Sequence, residues 1–188
     1  MEKKEMPIVV NMFASPGSGK STLAAYTFAK LKMLGVNCEL VTEFAKDKVW
    51  EESFKVLDDQ IYLFGKQYHR VYRLNNKVEV IITDSPFPLN VWYSKGMHGK
   101  IYEDFVFQCL NEFEHIDYFI NRGNYYNENG IQQNLEEAVA IDNGIKELLN
   151  KHNVKYIEYA QNVAVKTIVN DILNYLKYGN ELWKQMTL

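Results

Sequence analysis

Short apolar runs alternate along the chain with longer stretches in which apolar residues recur at helical spacing. Each apolar run predicts a β-strand, and the five runs are residues 8–13, 36–41, 78–83, 116–121 and 154–159. The helical spacing predicts α-helices over residues 21–33, 44–50, 58–74, 101–113, 135–150 and 163–178. Strands that alternate with helices predict an α/β fold, in which helices cover both faces of a five-stranded parallel sheet.

Turn and loop signals separate these elements. Gly35 predicts the end of the first helix, and Asn75-Asn76 predicts a turn before the third strand. The segment Ser85-Pro86-Phe87-Pro88 predicts a loop, because neither proline can extend a helix or a central strand. Residues 122–130 are polar and contain glycine, which predicts a flexible segment.

Composition changes this picture little. With 188 residues, 47% of them hydrophobic and 24% charged, the chain predicts a single domain over residues 1–188. The net charge of −3 gives no global basic field for duplex nucleic acid or a membrane surface, although it leaves room for a local basic groove. Cys38 and Cys109 lie in predicted apolar elements and are expected to be buried thiols. The chain has no membrane-length apolar run, and we expect a reducing, cytoplasmic setting.

The strongest chemical motif lies between the first strand and the first helix. Residues 14–22 read Ala-Ser-Pro-Gly-Ser-Gly-Lys-Ser-Thr and match the P-loop pattern G-x4-G-K-[ST], with Ala14 in the first glycine position. Small residues let backbone N–H groups surround an anion at the positive end of the following helix. The motif predicts that a nucleoside triphosphate such as ATP binds to Ser15, Pro16, Gly17, Ser18, Gly19, Lys20, Ser21 and Thr22.

Within this motif, Lys20 is expected to reach the β- and γ-phosphates, and the Ser21 hydroxyl is expected to ligate Mg²⁺. The alternative is an ordinary strand-to-helix turn in which Lys20 is a solvated lysine of the first helical turn. The strand before the motif and the helix after it favour the P-loop, but they do not decide what is done with the triphosphate.

Two acidic residues end the second and third predicted strands, at the edge of a parallel sheet where ligands bind. Asp84 is expected to hold Mg²⁺, directly or through water, or to contact the acceptor; the alternative is a turn opened by an Asx hydrogen bond. Glu43 could accept a proton from an attacking hydroxyl, or it could be an acid that the dipole favours at a helix N-terminus. The sequence leaves open which of the two is the base.

Basic residues supply two further candidates. Arg122 opens a polar segment, residues 122–134, that is expected to close as a lid and to bring the guanidinium to the transferring oxygens; the alternative is a solvated loop arginine. In the third predicted helix, Gln67 and Arg70 lie near one face and could read a base or a phosphate. The same residues also fit the wet side of an ordinary amphipathic helix.

These motifs together resemble a known family. Residues 14–22, Thr42-Glu43-Phe44-Ala45-Lys46, Ile82-Thr83-Asp84-Ser85 and the Arg122 loop are similar to the small P-loop kinases of the nucleoside and nucleotide kinase group. Within that group they resemble the branch that contains the ribosylnicotinamide kinase domain and related phage-encoded ATP-binding proteins. That branch commonly has Glu-x-x-Arg after the second strand, whereas Lys46 stands at the basic position here and cannot form a bidentate fork.

The resemblance implies a strand order of 2-3-1-4-5, with Glu43 and Asp84 near the acceptor and magnesium and Arg122 in a lid. We therefore expect an Mg²⁺- and ATP-dependent kinase that acts on a nucleoside, a nucleotide or a nucleic-acid component, with Glu43, Lys46, Gln67, Arg70 and Asp84 as candidate acceptor contacts. Single-stranded nucleic acid is a further candidate partner because the third helix is basic and rich in tyrosine. The sequence does not decide between ATP and GTP, or between a monomer and a homodimer.

The main rival is a P-loop NTPase whose hydrolysis drives a partner or a conformational switch. The chain has no N-K-x-D sequence to read guanine, and no glutamine or glutamate that could orient water follows Asp84 directly. A degenerate fold that binds nucleotide without chemistry is a third alternative, which the intact Lys20-Ser21 pair disfavours.

Overall fold

A fully parallel sheet organises the chain. The computed structural model describes residues 6–122 and 135–187. Its strands are β1 (Ile8–Phe13), β2 (Cys38–Val41), β3 (Val80–Thr83), β4 (Glu114–Asn121) and β5 (Ile157–Ala160), arranged in the order β2-β3-β1-β4-β5. This arrangement confirms the predicted fold class and strand order.

Helices join the strands and cover the sheet. They are α1 (Lys20–Met33), α2 (Phe44–Trp50), α3 (Gln60–Tyr72), α4 (Pro88–Tyr93), α5 (Gly99–Leu110), α6 (Leu135–Lys151) and α7 (Gln161–Thr187). A short 3₁₀ helix, Phe54–Asp58, precedes α3, and Gly179 interrupts α7 with a φ of 77°.

One expectation about local structure was wrong. The sequence predicted a loop at Ser85-Pro86-Phe87-Pro88, whereas Pro88 begins the helix α4. Proline is favoured at the first position of a helix, because the N–H that it lacks would have no intrahelical partner there. The helix α4 also carries Tyr93 to the edge of the sheet where the P-loop lies.

The central strand explains where the core forms. All six residues of β1 are buried, and β1 pairs in parallel with both β3 and β4. A strand buried on both faces by helices should be apolar almost throughout, as the sequence of β1 is. Its one strongly polar residue, Asn11, donates a 2.8 Å hydrogen bond from Nδ2 to Oδ1 of Asp117 on β4.

A glycine lets α4 and α6 approach each other closely. A Cβ atom at Gly144 in α6 would lie within 2.9 Å of three ring atoms of Trp92 in α4, so that only glycine fits without a shift. This contact packs α4 directly against α6.

The structure also bears on the predicted cysteines, the predicted lid and the expected lack of a membrane span. Cys38 and Cys109 are free and buried, as predicted, and burial raises the pKa of both. The predicted lid lies outside the described residues apart from Arg122. Among the helices that the structure describes, none has the length and apolar character needed to cross a bilayer.

Candidate functional site

The carboxyl ends of the five strands meet at one edge of the sheet, because all the strands are parallel. The P-loop follows β1, Glu43 follows β2, Asp84 follows β3 and Arg122 follows β4. The structure thus brings Lys20 to the same edge as the three other candidate catalytic residues.

The P-loop has the backbone shape that its glycines allow. Gly17 and Gly19 have φ values of 77° and 86°, in the left-handed region that glycine adopts without strain. A Cβ at Gly19 would also lie within 2.9 Å of two side-chain atoms of Gln161 at the start of α7. No acidic residue lies in the first turn of α1, so the positive end of this helix is available to an anion.

Lys20 lies among several charges at this edge. Its Nζ donates a 2.9 Å hydrogen bond to the carbonyl oxygen of Ser15. Burial lowers the pKa of Lys20, and the carboxylates of Glu43, Asp84 and Asp142 oppose that shift. An ammonium group held among carboxylates is placed to neutralise the charge of a phosphate chain.

Glu43 precedes α2, and its side chain makes no capping hydrogen bond to that helix. Burial raises the pKa of its carboxyl group; Lys20 opposes this shift, and the neighbouring Asp84 adds to it. A carboxylate with a raised pKa is a stronger base than an exposed one, which suits proton transfer from a hydroxyl group. Glu43 therefore lies near the P-loop lysine with a raised pKa, and its role as a general base stays a prediction.

Asp84 has a carboxylate oxygen that is available to a cation. The residue is 4% exposed, and its buried Oδ1 accepts no hydrogen bond from any residue that the structure describes. No group of three or more His, Cys, Asp or Glu residues with metal-binding geometry occurs in residues 6–122 and 135–187. Mg²⁺ usually binds through one or two carboxylates together with substrate phosphates, so the Asp84 carboxylate and a hydroxyl such as that of Ser21 have the chemistry to hold an ion that arrives with a nucleotide.

Arg122 and Asp142 both bind the first turn of the P-loop. One Arg122 nitrogen, Nη2, donates to Ser15 Oγ and, at 3.1 Å, to the carbonyl oxygen of Pro16. The backbone N–H of Ser15 donates to Oδ1 of Asp142 at 2.6 Å, and Oδ2 of Asp142 lies 3.8 Å from Nη2 of Arg122. Arg122 is thus in contact with the loop that would hold the phosphates.

Asp142 was missed by the sequence reasoning. It lies in the middle of α6, where an acidic residue in an amphipathic helix cannot be distinguished from a solvated one. Its role depends on the packing of α6 against the P-loop, which no local pattern encodes.

Tyr93 was missed for another reason. Burial raises its pKa to about 12, and the charges of Glu43 and Asp142 contribute to the shift, so the phenol lies close to both acids. Tyr93 is the last residue of α4, the helix that the sequence analysis took for a loop. Recognising Pro88 as the first residue of a helix would have pointed to it.

Gln67 and Arg70, the candidate acceptor contacts in α3, bind the segment between β2 and α2. Gln67 Oε1 accepts a 3.0 Å hydrogen bond from the backbone N–H of Phe44. Arg70 donates to the Thr42 carbonyl oxygen at 3.0 Å and to Oδ2 of Asp47 at 2.5 Å. Both side chains thereby hold the segment that carries Glu43, and a direct contact with a substrate stays a prediction.

Lys46 lies exposed on α2. Its positive charge acts on Glu43, where it opposes the rise of the pKa. Lys46 is therefore electrostatically coupled to the candidate base, and its contact with an acceptor also stays a prediction.

Comparisons with known proteins agree with this fold. A family model described as "AAA domain" matches residues 9–166. A crystal structure of NadR protein in complex with NR superimposes with a TM-score of 0.70 at 15% identity, and the match covers 92% of this chain and 52% of that one. Thymidylate kinase from Ehrlichia chaffeensis superimposes with a TM-score of 0.58 at 13% identity, covering 90% of this chain and 100% of that one.

A second NadR structure, in complex with NAD and AMP-PNP, has a TM-score of 0.58 at 13% identity and covers 84% of this chain and 45% of that one. The present chain therefore spans about half the length of the NadR protein. At these identities the likeness establishes the fold, which the chain shares with the small P-loop kinases. No curated protein matches the chain significantly in sequence.

Proposed function

The chain belongs to the AAA domain family, and from that premise we propose that it is an Mg²⁺- and ATP-dependent kinase. It transfers the γ-phosphoryl group of ATP to a hydroxyl or phosphate group of a nucleoside, a nucleotide or a nucleic-acid component. The similarity in fold to thymidylate kinase, and to a NadR structure that holds AMP-PNP, supports both the reaction and the donor.

One observation carries the proposal. The Glu43 carboxylate, with a raised pKa, lies close enough to the charges of Lys20 and Asp84 to be perturbed by both, at the edge where the P-loop begins α1. A phosphate-binding lysine beside a base is the arrangement that transfer to a hydroxyl group needs, because phosphoryl transfer depends on positioning and charge neutralisation.

Each residue then has a distinct role. The backbone of the P-loop and Lys20 bind the triphosphate, and Arg122 neutralises charge on the transferring oxygens. Glu43 orients the acceptor hydroxyl and takes its proton. The Ser21 hydroxyl and the Asp84 carboxylate would hold Mg²⁺, which supplies charge neutralisation at the phosphates.

The proposal is tested by following the γ-phosphate of labelled ATP in the presence of Mg²⁺. The acceptor panel contains nucleosides, nucleoside monophosphates, nicotinamide riboside and single-stranded oligonucleotides, and free phosphate is measured in parallel. Label that moves onto an acceptor supports the kinase and names its substrate class. Label that appears only as free phosphate, at the same rate with and without every acceptor, refutes it in favour of an NTPase.

Two lysine variants provide the control. Lys20→Ala should abolish transfer with the fold intact, since Lys20 is the phosphate-binding side chain. Lys30→Ala removes the same charge from the exposed last turn of the same helix, and transfer should be unchanged. Equal activity in both variants would remove the P-loop from the mechanism.

A further inference from the structure

Two adjoining clefts lie beside the edge strand β2, next to the segment that carries Glu43. The larger, of about 460 Å³, is lined by residues of β2, α2 and α3: Leu40, Val41, Thr42, Phe44, Asp47, Lys66, His69, Arg70 and Arg73. The second, of about 390 Å³, is lined by Tyr62, Gly65, Lys66 and His69. Because the two clefts share Lys66 and His69, they form one continuous groove along α3.

The polar side chains of this groove form a stripe on α3. At 100° per residue, positions 62, 66, 69, 70 and 73 fall within an arc of about 100°, which is a single face of the helix. Arg73 lies eleven positions after Tyr62, and at a rise of 1.5 Å per position the stripe is about 16 Å long. A ligand that contacts all of it must be extended.

The charge of the groove is largely uncompensated. Arg70 pairs with Asp47, the one carboxylate among the lining residues. Lys66 and Arg73 are exposed, and in the part of the chain that the structure describes neither forms an ion pair with a carboxylate. The groove is therefore a local basic surface on a chain whose net charge is −3.

Aromatic rings lie beside two cations of the groove. Tyr62 is 41% exposed, and Lys66 Nζ lies 5.4 Å from the centre of its ring. Phe44 meets Tyr62 edge to face at 5.7 Å, and the Arg70 guanidinium lies 5.0 Å from the Phe44 ring. An exposed ring beside cations in an extended groove can stack a base while the cations meet the phosphates.

We propose that this groove binds single-stranded nucleic acid. Lys66 and Arg73, seven positions or about 10 Å apart along the helix, contact two phosphates of the same strand, and the exposed Tyr62 ring stacks a base without sequence preference. A stripe of about 16 Å spans about five phosphates at the 3.4 Å spacing of a stacked strand, whereas the phosphates of one nucleotide occupy only a fraction of it.

The groove leads to the candidate catalytic edge. Thr42 and Phe44 line it, and Glu43 lies between them in the chain. A strand in the groove would therefore have one end beside the candidate base. This part of the inference deepens the proposed function, on which it rests, by naming the acceptor as the terminal hydroxyl group of a strand.

The test measures binding of a fluorescent single-stranded 12-mer by anisotropy, in the absence of ATP and Mg²⁺, over a series of salt concentrations. The double variant Lys66→Gln/Arg73→Gln should weaken binding at least tenfold and lower the slope of log affinity against log salt by about 1.4, or 0.7 for each lost phosphate contact. Tyr62→Leu should weaken binding at least about fivefold without changing that slope, because stacking is not ionic.

The matched control is Lys30→Gln/Lys32→Gln, which removes the same charge from exposed positions on α1. Its affinity should stay within twofold of the wild-type value. If both double variants lose affinity equally, the proposed binding groove is refuted, because binding would then depend on net charge alone. Competition by a mononucleotide as effective as competition by the unlabelled strand also overturns it.

The outcome separates this inference from the proposed function. Strand binding that persists in Lys20→Ala, together with a wild-type protein that phosphorylates nothing in the panel, supports the groove while refuting the kinase. Phosphorylation of a nucleoside by a wild-type protein that binds no oligonucleotide supports the kinase and refutes the groove.

Discussion

The contact between α4 and α6 offers a sharp test of how the fold positions the site. Gly144 of α6 lies against the Trp92 ring of α4; Tyr93 follows Trp92, and Asp142 lies half a turn before Gly144. We therefore expect Gly144→Ala to destabilise the protein and to displace Tyr93 and Asp142 from the P-loop.

The size of the effect follows from two opposing terms. Replacing glycine by alanine inside a helix stabilises it by about 0.5–1 kcal/mol when the new methyl group finds space. At Gly144 the methyl would lie within 2.9 Å of three Trp92 ring atoms, and overpacking of this kind costs about 1–3 kcal/mol. The net expectation is a loss of about 0–2.5 kcal/mol, centred near 1 kcal/mol, in the free energy of unfolding.

A second helical glycine provides the control. A Cβ at Gly65 in α3 would meet no other atom within 4 Å. Gly65→Ala should therefore raise the free energy of unfolding by the helix-propensity gain of about 0.5–1 kcal/mol, with no overpacking cost. Urea denaturation of both variants gives the two free energies of unfolding, and the melting temperatures should move in opposite directions by a few degrees. Phosphoryl transfer by Gly144→Ala should fall by up to about 100-fold, since displacements near 1 Å have effects of that order.

If Gly144→Ala is as stable as Gly65→Ala, the predicted overpacking at Gly144 is refuted, because the Trp92 ring would then have moved aside without a loss of stability. Loss of stability with full transfer activity would refute a narrower claim, that this contact positions Tyr93 and Asp142. Each result can be read directly from the same two protein preparations.

Two further predictions concern the acids of the site. Burial raises the pKa of Glu43 above its unfolded value of 4.5, so ionisation of Glu43 opposes folding as the pH rises through the raised value. In urea titrations, Glu43→Gln should therefore be more stable than the wild type at pH 7 but not near pH 4. The same variant should lose phosphoryl transfer in the kinase assay. Asp142→Asn weakens a charge-assisted hydrogen bond to the Ser15 N–H and should lower the free energy of unfolding, measured in urea, by about 1 kcal/mol. As a control, Asp104→Asn removes one partner of the exposed pair with Lys100 and should lower it by less than about 0.5 kcal/mol.

Much of the fold could be predicted because its signals are local. The apolar run of β1 and the P-loop after it have the predicted positions, and the bounds of β1 and of α2 agree to the residue. The other strand termini were less accurate: β2 and β3 begin two residues later than predicted, β4 begins two residues earlier, and β5 begins three residues later and ends one residue later. The helix α4 was not predicted because its first residue is a proline, which the sequence analysis took only as a residue that ends helices and strands.

The site divides in the same way. Lys20, Glu43 and Asp84 could be predicted to lie together because each follows a strand of one parallel sheet. Asp142 and Tyr93 could not, since each reaches the P-loop edge from a helix whose placement depends on packing between distant segments.

The contacts around the P-loop suggest how a nucleotide would enter it. Lys20 donates to the Ser15 carbonyl oxygen, and Arg122 donates to Ser15 Oγ and the Pro16 carbonyl oxygen, so both cations already have partners in the loop. Hydrogen bonds from cations to phosphate oxygens are stronger than those to neutral oxygens. Phosphates can therefore take over these donors at little cost, while the Asp142 carboxylate keeps the first turn of the loop in place through the Ser15 N–H. The loop is held by its own neighbours in a shape that a triphosphate can occupy by exchanging weaker acceptors for stronger ones.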